Sequence, residues 1–134
     1  SLDLINKHIK IIMPLHPHTK KKLDEFQIDS EINLINPSDY HTMLSLLLNC
    51  EMVITDSGGI QEESAFFKKP CIVCREKTER GEGLGDFSWL CQDPDHLSDL
   101  FYQLKDYKID MTLPCPYGDG YASEKILDIL KEEI

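Results

Sequence analysis

Residues Met52 to Arg80 read MVITDSGGIQEESAFFKKPCIVCREKTER, and the rest of the chain is arranged around them. The stretch opens with a short apolar run, Met52-Val53-Ile54, which reads as a buried strand. The turn Thr55-Asp56-Ser57-Gly58-Gly59 follows, then a helical pattern from Ile60 to Phe67 and a stop at Lys69-Pro70. A second apolar run, Cys71-Ile72-Val73-Cys74, completes a strand–turn–helix–strand unit. Such a unit predicts two parallel strands joined by a right-handed crossover. Ligands of open parallel sheets bind beyond the carboxyl ends of the strands, where the Ser57-Gly58-Gly59 turn is expected.

The chemistry of that turn favours an anion. The first N–H groups of a helix lack internal partners, and the aligned peptide dipoles place partial positive charge there. Two glycines remove Cβ atoms, so a phosphate can approach the backbone closely. Ser57 can cap the helix or give its hydroxyl to a phosphate oxygen. Glu63 lies one turn further on, on the face that begins at the turn. A carboxylate there repels phosphate but accepts hydrogen bonds from sugar hydroxyls, as the acidic residue of dinucleotide sites does. From spacing alone the same residues also describe an ordinary Ser-capped helix with a solvated Glu63, because a lone Gly-Gly turn is a weak signal.

Working outward, Ile9 to Leu15 is a strand candidate ending in His16-Pro17-His18. A short helix is expected over Thr19 to Phe26, with Lys20, Lys21 and Lys22 on a solvated face, and a strand over Ile32 to Ile35. Pro37 and Ser38 start the next helix, Ser38 its expected cap and Met43, Leu44, Leu47 and Leu48 its apolar stripe. Beyond Arg80 come the loop Gly81-Glu82-Gly83-Leu84-Gly85 and a short strand from Phe87 to Cys91. Pro94 opens a helix whose Leu97, Leu100, Phe101 and Leu104 follow the i, i+3, i+4, i+7 pattern. After Pro114 to Gly120 a last helix is expected over Ala122 to Lys131, with Ile126, Ile129 and Leu130 apolar. Alternating strands and helices predict an α/β sandwich with a parallel sheet of about five strands.

The 134 residues are about one domain, and 41% apolar content suffices for a core without a membrane span. The net charge of -10 argues against nucleic acid and anionic membranes as partners. The chain begins Ser-Leu-Asp, without an initiator Met or a signal-peptide pattern, and reads as a piece of a longer protein. Cys71 and Cys74 form a C-x-x-C, but residues three apart on a strand point to opposite faces. No second Cys or His pair is spaced to complete a zinc site, so buried structural thiols in a reduced, cytoplasmic protein are expected.

Four motifs then occur in one order: PLHPHT, TDSGGIQEE followed by KKP, REKTER, and PYGDGYA. Together they closely resemble the signature of the UDP-N-acetylglucosamine 2-epimerases, with family patterns P-x-HP, TDSGGIQEE then GKP, R-x-x-TERPE, and NPYGDGxA. The resemblance covers most of the chain. It implies a Rossmann-like three-layer sandwich forming one half of a GT-B-type two-domain fold. Residues 1–134 would be the C-terminal nucleotide-binding domain, partnered by an N-terminal domain of the same chain and, in the full-length protein, by a second copy in a homodimer. In the family the final helix crosses back to the first domain, so its apolar stripe is expected to be partly exposed here.

Site residues follow from the same match. Ser57, Gly58 and Gly59 correspond to the turn that holds the UDP diphosphate, and Glu63 to the carboxylate that binds the ribose hydroxyls. Glu62, rotated about 100° around the helix, is expected in a capping or structural role. His16 corresponds to the motif histidine at the mouth of the cleft, or else it orders the loop before Pro17. Tyr40 corresponds to an aromatic flanking the uracil, or else it is a core aromatic. Thr78, Glu79 and Arg80 match the TER of the strand-end loop. Arg75 and Arg80 are cationic candidates for a phosphate or a catalytic carboxylate, or members of surface salt bridges. Two departures stand out: Gly81 replaces the family's proline, loosening that loop, and Cys115-Pro116 stands at the Asn position before the last motif.

The resemblance implies no metal and no cofactor. It implies removal of the C2 proton of UDP-N-acetylglucosamine, anti elimination of UDP, and re-addition of UDP to give UDP-N-acetylmannosamine. A hydrolysing epimerase releasing N-acetylmannosamine, a UDP-sugar glycosyltransferase of similar architecture, and a non-catalytic sugar-nucleotide-binding module are the alternatives. The family's acid/base carboxylates lie in the first domain, so this region alone is expected to be inactive, with Glu79 and Arg80 in support.

Overall fold

The computed structural model describes residues 1–132. The chain runs α1 (Leu2–Asn6), β1 (Ile12–Pro14), α2 (Pro17–Glu25), β2 (Asn33–Ile35), α3 (Tyr40–Asn49), β3 (Val53–Thr55), α4 (Gly58–Phe66), β4 (Cys71–Val73), β5 (Ser88–Leu90), α5 (Leu97–Leu104) and α6 (Ala122–Glu132). Short 3-10 turns occupy Gly81–Gly83 and Pro94–His96. This is the expected α/β alternation. The five strands are parallel to their neighbours, but backbone hydrogen bonds join them as β1–β2 and β3–β4–β5, not as one sheet. Each strand has only three residues, and Pro14 of β1 has no N–H to offer a further neighbour.

β4 shows why the layers form. Buried along its whole length, it sends alternate side chains to opposite faces. Ile72 packs with Ile5, Leu97, Phe101 and Leu104, so α1 and α5 cover that face. Cys71 and Val73 pack with Leu47 and Val53, and with Leu44 and Ile60 at the edge, so α3 and α4 cover the other. A third cluster of Ala65, Phe87 and Ile109 anchors the long segment after α5.

Several local expectations change. Ser1 and Leu2–Asn6 form an extra helix, α1, too short for a periodic signal, yet its Ile5 is fully buried. The first strand is shorter than Ile9 to Leu15: Ile9 and Ile11 pack on the core before the strand begins at Ile12. The cap of α3 is Asp39, not Ser38: its Oδ1 accepts the Thr42 N–H at 2.8 Å. A carboxylate caps as well as a hydroxyl and adds charge at the positive end of the helix. Leu48 leaves the apolar stripe of α3 and is 53% exposed, whereas Leu47 is buried. Gly81 is held in a 3-10 turn closed by the Leu84 N–H on its carbonyl at 3.1 Å, so glycine there does not leave the loop unsupported. The last helix exposes Ile126, Leu127, Ile129 and Leu130.

Cys71 and Cys74 do face opposite sides: Cys71 joins one core cluster and Cys74 lines the other. Burial pushes the Cys71 thiol up to about 12 and is the main cause of the rise of Cys74 to about 11. A thiol whose pKa is raised on folding favours the folded state fully below its unfolded value of about 9 and loses that contribution as pH rises towards the folded value. Urea titrations should therefore show the unfolding free energy falling between about pH 9 and 12, by at most about 1.4 kcal/mol per pH unit for each thiol. Cys71→Ala should flatten that slope. An unchanged slope would mean that Cys71 ionises freely in the folded chain.

Candidate functional site

The unit β3–α4–β4 places Ser57, Gly58 and Gly59 just beyond the carboxyl end of β3. Ser57 is the N-cap: its extended backbone (φ -96°, ψ 126°) lets Oγ accept the Ile60 N–H at 3.4 Å, while its own N–H donates to Thr55 Oγ1 at 3.1 Å. Gly59 faces open space, with only Ser57 Oγ, at 3.9 Å, near an added Cβ. Gly58 is crowded. A Cβ there would lie 3.2 Å from Arg80 Nε and 3.3 Å from Glu79 Oε1, so both side chains lie over the first turn of α4.

Arg80 donates from Nε to Glu62 Oε1 at 2.6 Å and from Nη1 to Glu79 Oε1 at 2.7 Å. Arg75 donates to the other Glu79 oxygen at 3.1 Å. The hydrogen bond it donates to Glu62 is the main reason the Arg80 guanidinium holds its proton more tightly than usual. The Glu79 carboxyl is lowered, first by a backbone N–H and then by the two arginines. Arg75 and Arg80 both form salt bridges in this structure, with Glu62 as one partner of Arg80.

Glu63 has one carboxylate oxygen, Oε2, that is buried and has no hydrogen-bond partner among the described residues. Tyr40 opens α3 on the same side, and the Glu63 charge is the main cause of its raised phenol pKa. At 61% exposure Tyr40 is not a core aromatic. His16 is exposed and caps α2 through Nδ1, which accepts the His18 N–H at 3.2 Å, so it orders the chain around Pro17. Thr78 turns inward: its hydroxyl donates to Gln61 Oε1 at 2.8 Å and accepts the Arg80 N–H at 3.1 Å.

The residue missed in the sequence is Gln61. It is buried, and its Nε2 faces three acceptors: the Arg80 carbonyl at 3.1 Å, Ser88 Oγ at 2.9 Å and the Tyr117 hydroxyl at 3.3 Å. Tyr117 also donates to the Arg80 carbonyl at 3.0 Å. Its hydroxyl fills the place of a side chain at Gly83, where an added Cβ would lie only 2.4 Å away. The one available signal was the pairing of the PYGDG tyrosine with a glycine-rich loop, and sequence spacing cannot show that they touch. An open groove of roughly 340 Å³ lies beside this cluster, lined by Glu62, Glu79, Arg80 and Tyr117 among others. Among the described residues, no helix is long and apolar enough to cross a membrane, and no group of three or more His, Cys, Asp or Glu could hold a metal ion.

These features define a Rossmann-like α/β domain with its polar cluster at the start of the helix after β3. The sequence profile of the UDP-N-acetylglucosamine 2-epimerase family matches residues 1–131, and the chain belongs to that family. It is 38% identical to the UDP-N-acetylglucosamine 2-epimerase of Methanococcus maripaludis over 97% of this chain and 38% of the relative. It is 45% identical to the enzyme of the same name from Methanocaldococcus jannaschii, over 90% of this chain and 34% of the relative. The crystal structure of the Methanocaldococcus jannaschii epimerase in complex with UDP-GlcNAc and UDP superposes with a TM-score of 0.81 at 33% identity, covering 98% of this chain and 38% of that one. The chain thus spans under two fifths of the length of these relatives.

The Tyr117–Gly83 contact is directly testable. Gly83→Ala should destabilise the protein by about 1–3 kcal/mol in a denaturant titration, the range expected for overpacking. Tyr117→Phe, which removes the clashing hydroxyl, should recover part of that loss in the double variant. Additive losses would mean that the two residues do not touch.

Proposed function

We propose that this chain is the UDP-binding part of a UDP-N-acetylglucosamine 2-epimerase. The supporting observation is the unpartnered, buried Glu63 Oε2 one turn into a helix whose start is open at Gly59. Buried polar atoms are satisfied in nearly all folded proteins, so an orphan beside an anion-receptive helix start fits a group completed by ligand. In this reading the ribose hydroxyls donate to Glu63, and Tyr40 lies on the uracil side. His16 stands at the rim beyond β1. The diphosphate sits against the Ser57-Gly58-Gly59 turn, on the N–H groups of Gly58 and Gly59, with Thr78, Arg75 and Arg80 bordering it.

The reaction proposed for the whole protein interconverts UDP-N-acetylglucosamine and UDP-N-acetylmannosamine by anti elimination and re-addition of UDP through a glycal. This region supplies the leaving-group half. Negative charge grows on the diphosphate as the C1–O bond breaks, and fixed N–H dipoles stabilise it without reorganisation. The carboxylates that move the C2 proton belong, in this proposal, to a further domain of the same protein, and the exposed face of α6 packs there. A homodimeric, cytoplasmic enzyme with no metal or cofactor completes the proposal.

Calorimetry on the full-length protein tests the site. Glu63→Ala should weaken UDP binding by about ten- to a hundredfold, the worth of hydrogen bonds to a charged group. Unchanged affinity would remove the ribose role. Gly59→Ala should behave differently from an ordinary helix substitution. Alanine at a helical position is favoured over glycine by up to about 1 kcal/mol, and among the described residues only Ser57 Oγ, at 3.9 Å, comes near the added methyl. The variant should therefore be at least as stable as the parent yet bind UDP more weakly. Full UDP affinity in a stable Gly59→Ala protein would place the diphosphate elsewhere.

A further inference from the structure

We infer that Gln61 is a positioning residue, acting through Arg80 on the diphosphate end of the site; this rests on the UDP reading above. Three observations carry it. Gln61 sits on α4 two residues after Gly59, and its side chain points inward, with 1% of the residue exposed. Its amide grips the Arg80 segment twice: Nε2 donates to the Arg80 carbonyl, and Oε1 accepts from Thr78, whose hydroxyl in turn receives the Arg80 N–H. Tyr117 closes the same knot from the far end of the chain by donating to that carbonyl. The backbone of Arg80 is therefore held on both its N–H and its C=O side, each time through Gln61 or a group bonded to it.

The consequence falls on the guanidinium. Its lateral position over Gly58 depends on where the Arg80 backbone is pinned, because its ion-pair partners Glu62 and Glu79 are partly exposed and weakly restraining. A buried amide with several satisfied hydrogen bonds is a stiffer anchor than either pair. Gln61 thus ties the PYGDG tyrosine, the strand β5 serine and the TER loop to the helix start. Remote segments are registered against the anion end by one side chain, which touches no ligand itself.

The test uses the full-length protein, with UDP and uridine as probes and calorimetry as readout. Gln61→Met keeps the shape and removes the hydrogen bonds. It should weaken UDP by about tenfold while leaving uridine, which lacks the diphosphate, within about twofold. Arg80→Gln should do the same, and the Gln61→Met/Arg80→Gln double variant should be no weaker than Arg80→Gln alone, since both act on one contact. If Gln61→Met fails to fold, Tyr117→Phe, which deletes one hydroxyl of the same knot, gives a smaller version of the same split. Equal loss of UDP and uridine, or additive losses in the double variant, overturns the positioning role in favour of general support of the fold. Absence of UDP binding in the parent protein overturns the nucleotide site itself, and this inference with it.

Discussion

β4 is the constraint on which the other elements depend. A strand buried on both faces needs a helical layer on each, and its three side chains divide between two core clusters. Parallel pairing with β3 requires a crossover, and α4 is that crossover. The crossover must begin beyond the carboxyl end of β3, so the free N–H groups of α4 are delivered to one edge of the sheet by topology alone. The same pairing brings the loop after β4 back beside the helix start, which is how Glu79 and Arg80 come to lie over Gly58 and Thr78 comes to reach Gln61. The site is a by-product of satisfying two parallel strands.

Much of this was legible from residues. The apolar runs at Val53 and Cys71, the Gly-Gly break and the Lys-Pro stop each have a local physical meaning, and the central unit followed from them. The stripe Leu97, Phe101, Leu104 was equally readable, because all three are buried on one side of α5. What failed were features decided by tertiary contact. Helix α1 has five residues and is held by Ile5 in the core, not by its own propensity. Leu48 belongs to the stripe by period but lies outside the core, whereas its neighbour Leu47 is packed into it. Gln61 looks like any polar helix residue. Only the convergence of Ser88 and Tyr117, distant in sequence, turns it into a buried hub.

Lys68 illustrates how a departure from a motif is absorbed. The motif that this chain resembles carries glycine at the position of Lys68, and the backbone there is left-handed, with φ 56°. That geometry costs a residue with a Cβ about 1–2 kcal/mol. The lysine brings compensation that glycine cannot. Its Nζ donates to the Leu113 carbonyl and lies 4.8 Å from the centre of the Phe87 ring. A hydrogen bond of about 1 kcal/mol with a cation–π contact of about 0.5–1 kcal/mol offsets the strain. The substitution also links the end of α4 to the segment carrying the PYGDG motif.

An acidic chain is an unexpected host for a diphosphate, and magnitudes reconcile the two. The net charge of -10 is spread over the whole surface, and at physiological ionic strength charges beyond about 8 Å are largely screened. What acts on a ligand at the start of α4 is the nearest shell: the N–H groups of the turn, then Arg80 and Arg75 against Glu62 and Glu79. Those four side chains sum to no net charge, and the helix start adds partial positive charge beside them. The ion pairs are no obstacle either. Their members are partly exposed, pairs of this kind contribute only about 0–1 kcal/mol, and a diphosphate offers Arg80 a doubly anionic partner in place of a carboxylate. In the proposed reading the carboxylates therefore act as placeholders. They neutralise the guanidinium while the site is empty and yield it when a stronger anion arrives.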